Sequence, residues 1–166
     1  DHDEPAGGGK PAVFKVSYVK VAMIKAYLLK NCGMKWEGKI QMAVNENCND
    51  ISYVLGRLFS VLENIQQSAN PGINNTIKDR YFNSACATPA AVFPVLWKLA
   101  NAHLGKLDQP RAVYFKKKLG LLMDKIAMPD RGTPLPHRLT LDEQGAFVLG
   151  YYQETQARYA GKKEDK

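Results

Sequence analysis

YVLGRLFSVLENIQQSANPG, residues 53–72, decides the fold. Leu55, Leu58, Phe59, Leu62, Ile65 and Ala69 recur at three- and four-residue steps, the spacing of one apolar helical stripe. Arg57, Ser60, Asn64 and Gln67 fall on the other side, which predicts a polar outer face. Asn70-Pro71-Gly72 stops the helix, because proline has no N–H to continue it. A stripe of this kind needs an apolar partner, so other helices are sought on either side.

Downstream they recur. Thr76 to Asn83 reads as a short helix. Thr88 and Pro89 form an N-cap and a first helical residue. Their helix buries Phe93, Leu96, Ala100 and Leu104, runs to about Leu107, and should kink at Pro94. Asp108 or Gln109, with Pro110 following, opens the next, whose buried face is Phe115, Leu119, Leu122 and Ile126. Met128 to Arg138 is a loop, since Pro129, Gly132, Pro134 and Pro136 forbid regular structure. Thr140-Leu141-Asp142-Glu143 is a capping box opening a last helix, with Leu141, Gly145, Val148, Tyr152 and Tyr159 along one face. Gly145 and Gly150 inside that helix cost ~1 kcal/mol each relative to Ala, and close approach of a neighbouring helix or a ligand is the expected return.

Upstream the signals are weaker. Residues 1–11 read as a flexible leader. Within 12–50, Phe14, Val16 and Tyr18 alternate with polar residues, helix formers run from Tyr18 to Asn31, and Ile40, Met42 and Val44 alternate again. The fold class is therefore mostly α. A bundle of four or five helices spans 51–160, with a short extended or β segment near the N-terminus and a charged tail at 161–166.

Length and composition bound the function. At 166 residues the chain is one domain, alone or with an extension, with room for a sizeable core. Its net charge of +7 points to a polyanionic partner. Cys32, Cys48 and Cys86 are odd in number and lack paired spacing, which predicts free thiols in a reducing, cytoplasmic compartment. No apolar run approaches the ~18 residues of a membrane span, so no membrane partner is expected. The sequence starts at Asp1 without a Met and without a signal peptide, which predicts a trimmed chain or a portion of a longer one.

Catalysis and metal binding find no support. His2 is in the leader, His137 is in the proline loop, and His103 reads as a partly buried, hydrogen-bonded structural histidine. No His, Cys and Asp cluster has zinc-like spacing. The leader's GGGK lacks the strand and helix of a phosphate-cradling loop. Asp142 and Glu143 are explained by the helix start they sit on. No enzyme, no cofactor and no metal are expected.

Charge is more informative. Between Thr76 and Arg138, eleven cations face four carboxylates, a surplus equal to the whole net charge. Lys98 and Lys106 project from the polar side of one helix, and Lys116, Lys117 and Lys118 cover about 200° of the next. With Arg111, and with Lys78 and Arg80 of the preceding segment, they predict a track for a phosphate backbone; Arg57 is a further candidate. Lysine grips phosphate as a point charge without reading bases, so binding should be independent of sequence. A solvated face, or one that docks acidic neighbours, is the other reading.

Residues 53–107 and the run LDEQGAFVLGYYQETQ, 141–156, also carry a resemblance. LGRLF (55–59), VLENIQ (61–66), TIKDRYF followed by small residues and TPAAVFP (76–94), and LGYY (149–152) occur in order. In these the chain resembles the C-terminal part of the large subunit of the type I-C CRISPR surveillance complex, Cascade (the Csd1 family). The resemblance covers somewhat under half of the chain, and residues 1–50 share it weakly. It departs at Ala102, where the family commonly has a second His, and at Gln153-Glu154-Thr155, where a basic or His-bearing stretch is common. It implies a non-catalytic role. That region of the family is also made as a separate small subunit, whose copies lie beside the crRNA–target duplex and hold the displaced non-target strand of the R-loop. The implied partners are crRNA, target DNA, backbone and large subunits, and further copies of the chain itself.

The TIKDRYFNSACA segment then has two expected jobs. Tyr81, Phe82 and the small residues let the chain cross tightly between helices. Lys78 and Arg80 point outward, toward phosphate or a neighbouring subunit, unless Arg80 pairs with an acid beside it.

Overall fold

The structure is a computed structural model that describes residues 43–127 and 135–160. All of them belong to one unit, residues 36–166. Five helices follow one another: α1 (Ile51–Ala69), α2 (Ile77–Ala87), α3 (Pro89–Leu104), α4 (Gln109–Ile126) and α5 (Leu141–Ala160). No strand occurs among the described residues. The leader, the expected segments at 12–18 and 18–31, most of the 40–44 alternation, residues 128–134 of the proline loop and the tail at 161–166 lie outside the described residues.

Local chemistry sets the helix ends. Asp50 caps α1, its Oδ1 accepting from Ser52 N at 2.8 Å and Tyr53 N at 3.0 Å. Gly72, at φ +83°, turns the chain in a left-handed conformation that a side chain would disfavour. Asp108 caps α4 by accepting from Arg111 N. Thr140 and Glu143 form the expected reciprocal box on α5. Thr76 and Asp79 form another on α2, which runs on to Ala87, four residues beyond the expected end.

Thr88 departs from its expected role. Its side chain makes no cap bond to α3. Its Oγ1 donates instead to Ser84 O at 3.0 Å and closes α2. The free N–H at the start of α3 is met from elsewhere: Ala90 N donates to Pro136 O, while Leu139 N donates to Ala87 O. The chain leading into α5 thus docks on the α2–α3 junction.

α1 is the central helix. It packs most extensively on α5, then on α4 and α3, and α2 packs mainly on α3. Residues 52–63 of α1 are all buried, so it has no polar outer face. Ser60, expected there, is buried with its Oγ 2.8 Å from Thr155 Oγ1. The expected buried faces of α3 and α4 are observed.

The face assigned to α5 is corrected. Leu141 and Tyr159 are exposed, and the buried side runs through Ala146, Phe147, Gly150, Tyr151 and Glu154. The reason is Gly150, a residue that adds nothing to an apolar stripe yet marks the closest approach. A Cβ there would lie 2.1 Å from Tyr53 O, so backbone meets backbone at the crossing with α1.

Rings fill the core beside that crossing. Phe82 packs edge-on against Tyr151 at 4.9 Å between centroids, Phe59 at 5.6 Å and Phe147 at 5.7 Å. Such pairs contribute about 0.5–1.5 kcal/mol each beyond their buried area. Phe82 is thus a core anchor, and the small residues after it, Ala85 and Cys86, are buried parts of a helix rather than a crossing turn.

Candidate nucleic-acid interface

The cations separate into two groups once the helices are placed. Lys98 on α3, Lys106 in the α3–α4 turn, Arg111, Lys116 and Lys117 on α4, and Arg80 on α2 are exposed. Arg111 Nε stands 3.6 Å from Asp108 Oδ2, a solvent-facing pair that contributes little. Asp79 bonds Thr76 rather than Arg80. α3 and α4 each pack on α1 and not extensively on each other. The exposed cations therefore sit on two helices joined at one end by the turn that carries Lys106.

Arg57 is the clearest correction. It is only 2% exposed and lies inside the bundle. Its Nε donates to Glu154 Oε2 at 2.9 Å, and its Nη2 donates to both oxygens of Glu46 at 2.9 Å. Burial alone would lower its pKa, but Glu154 and Glu46 more than offset this and hold it charged. It has no surface to offer a phosphate.

Lys118 is half-buried and bonds the same carboxylate, pairing with Glu154 Oε1 while lying 6.0 Å from the Tyr114 ring centroid. Two expected phosphate contacts thus neutralise one buried acid. Lys78 is also partly withdrawn: its Nζ lies 5.1 Å from the Tyr151 ring centroid and 5.4 Å from that of Tyr152.

A buried polar seam continues along α1 and α5. Tyr53 Oη donates to Gln153 Oε1 at 2.5 Å and accepts from Asn45 N. Tyr151 Oη donates to Glu63 Oε2 at 2.6 Å. Burial, then the Glu63 carboxylate, push the Tyr151 phenol well above its ordinary range, so it stays a neutral donor. Spacing alone does hint at the seam: Tyr53, Arg57, Ser60 and Glu63 recur at helical steps, the pattern of one face.

His103 is half-buried, with Nδ1 3.2 Å from Asn70 Nδ2, as expected of a structural histidine. Among the described residues no group of three or more His, Cys, Asp or Glu side chains stands close enough to hold a metal. No helix there is long and apolar enough to cross a membrane.

The model of the CRISPR-associated protein family Cas_Csd1 matches residues 3–159. The chain belongs to the CRISPR-associated Csd1 family. This is the type I-C large-subunit family, and membership makes the chain a component of Cascade. The match begins at residue 3, so it takes in residues 3–50, upstream of the short motifs, as well. No curated protein matches the chain.

Proposed function

We propose that this Csd1-family chain is a non-catalytic component of the type I-C surveillance complex that grips nucleic-acid backbone and stabilises the R-loop by holding the displaced non-target strand. The observation that carries the reading is the exposure of Lys98, Lys106, Arg111, Lys116 and Lys117 along α3 and α4, on a chain of net charge +7. Four of these five are lysines, whose point charges suit phosphate and not base edges. Base pairing with a guide supplies sequence recognition in such systems, so the protein need not.

A second reading has its own support. Val95 on α3 and Val113 and Leu121 on α4 are exposed among the same cations. A mixed apolar and basic face of that kind suits docking to an acidic neighbouring subunit.

The charge reversal Lys98→Glu, Lys116→Glu, Lys117→Glu separates the two. The bundle should stay folded, since exposed changes of this kind usually cost within about ±0.5 kcal/mol each. Affinity for single-stranded and duplex DNA should fall, and the salt slope should flatten by roughly one unit per lost phosphate contact. In assembled Cascade, guide loading should survive while the displaced strand loses protection in an R-loop footprint. Protection equal to that given by the unmodified protein would replace this reading with protein docking.

A further inference from the structure

Arg158 lies outside the basic segment, in the last turn of α5, and its environment is unusual. Its Nη2 donates to Tyr159 Oη at 2.8 Å, and its Cζ sits 4.7 Å from the Tyr159 ring centroid. Its Nε and Nη1 are buried and have no acceptor among the described residues. Two shielded donors of a charged group are costly to leave unmet, so they favour an anionic oxygen.

The same residue lines a cleft of about 710 Å³ between the end of α1, the start of α4 and the end of α5. Arg111 and Tyr114 line it from α4, Arg158 and Tyr159 from α5, and Asn64 from α1. Tyr114 is 56% exposed and Tyr159 50%. Sites for small molecules commonly span about 300–1,000 Å³, so a nucleotide fits.

Resting on the backbone-binding reading above, we propose that this cleft takes one nucleotide of a single strand, its phosphate on Arg111 and Arg158 and its base stacked on Tyr114 or Tyr159. The chemistry selects this ligand. An acidic peptide would satisfy the guanidinium groups but leave two phenol faces bare. A base covers a ring face whatever its identity, so the site holds single strands without reading them. A paired base is already stacked, so the site favours strands that are open. Arg158 meets the phosphate by pivoting off the Tyr159 ring, which frees its shielded donors.

The test uses the full chain and a short single-stranded DNA with one 2-aminopurine at an internal position, beside the same strand with an abasic site there. Binding should quench the 2-aminopurine, and the abasic strand should bind about tenfold more weakly. Tyr114→Ala or Tyr159→Ala, each at an exposed position, should abolish that ratio. Arg158→Gln should weaken both strands alike. Lys116→Glu with Lys117→Glu should also weaken both, but preserve the ratio. Equal affinity for the two strands in the unmodified protein, or an unchanged ratio and quench in both Tyr114→Ala and Tyr159→Ala, would overturn the cleft while leaving backbone binding intact. Failure of the unmodified protein to bind either strand at low salt would overturn both readings.

Discussion

Gly56 and Gly150 stand against each other's helices where α1 crosses α5. A Cβ on Gly56 would lie 1.9 Å from Phe147 O, and one on Gly150 would lie 2.1 Å from Tyr53 O. The obstacles are backbone atoms, which cannot rotate aside. This contact holds α5 close enough for Tyr151 to reach Glu63 and for Glu154 to reach Arg57.

Gly56→Ala and Gly150→Ala should therefore destabilise the bundle. The intrinsic helix gain of ~1 kcal/mol is outweighed by overpacking, typically ~1–3 kcal/mol and more where backbone must part. Gly120→Ala on α4 is the control, because nothing lies within 4 Å of its Cβ position, and it should stabilise. Denaturant midpoints rank the three. A neutral Gly56→Ala would contradict the crossing.

Glu154→Gln should be among the most damaging single changes. Glu154 is 3% exposed and balances both Arg57 and Lys118. Removing its charge leaves a buried guanidinium dependent on the exposed Glu46, and breaking a buried pair costs about 3–5 kcal/mol. Arg57→Met combined with Glu154→Gln should cost less than the sum of the single changes. Additivity in that double-mutant cycle would mean the pair is not coupled.

His103 should make stability depend on pH. Burial, and then Lys106, lower its folded pKa below the unfolded value of 6.5. The unfolded chain then binds the proton more readily. The contribution is complete above the unfolded pKa and is lost as pH falls through the folded one. Melting curves from about pH 7.5 down to about pH 5 should show a smaller drop in His103→Gln than in the unmodified protein, the window being set by the ordinary histidine pKa. Parallel curves would exclude the effect.

Cys86 should be inert. Burial pushes its thiol up to about 11, and its Sγ donates to Gln144 O at 3.7 Å. A thiolate-seeking reagent at neutral pH should label it only after denaturation. Peptide mapping by mass spectrometry that finds Cys86 labelled in the native protein would refute this.

The sequence by itself determined that five helices follow one another here and roughly where each begins, because the signals are local. Asp108 and the Thr140–Glu143 box act within one turn, and Phe115, Leu119 and Leu122 repeat at a period that only a helix turns to one side. The exposure of Lys98, Lys106, Lys116 and Lys117 was legible for the same reason. The tertiary structure alone decided which helix is central and what its polar residues do. Arg57 looks like an outward cation until α5 brings Glu154, 97 residues away, to within 2.9 Å. Lys118 follows it to the same acid, and Arg158 and Tyr114 line one cleft only because α4 and α5 both approach the end of α1. The face of α5 was misread because an apolar stripe is counted in side chains, whereas the α1–α5 crossing is made by two glycines that have none. Helical periodicity is a property of neighbours in the chain. Desolvation of a charge, and the distance between two backbones, exist only once distant segments meet.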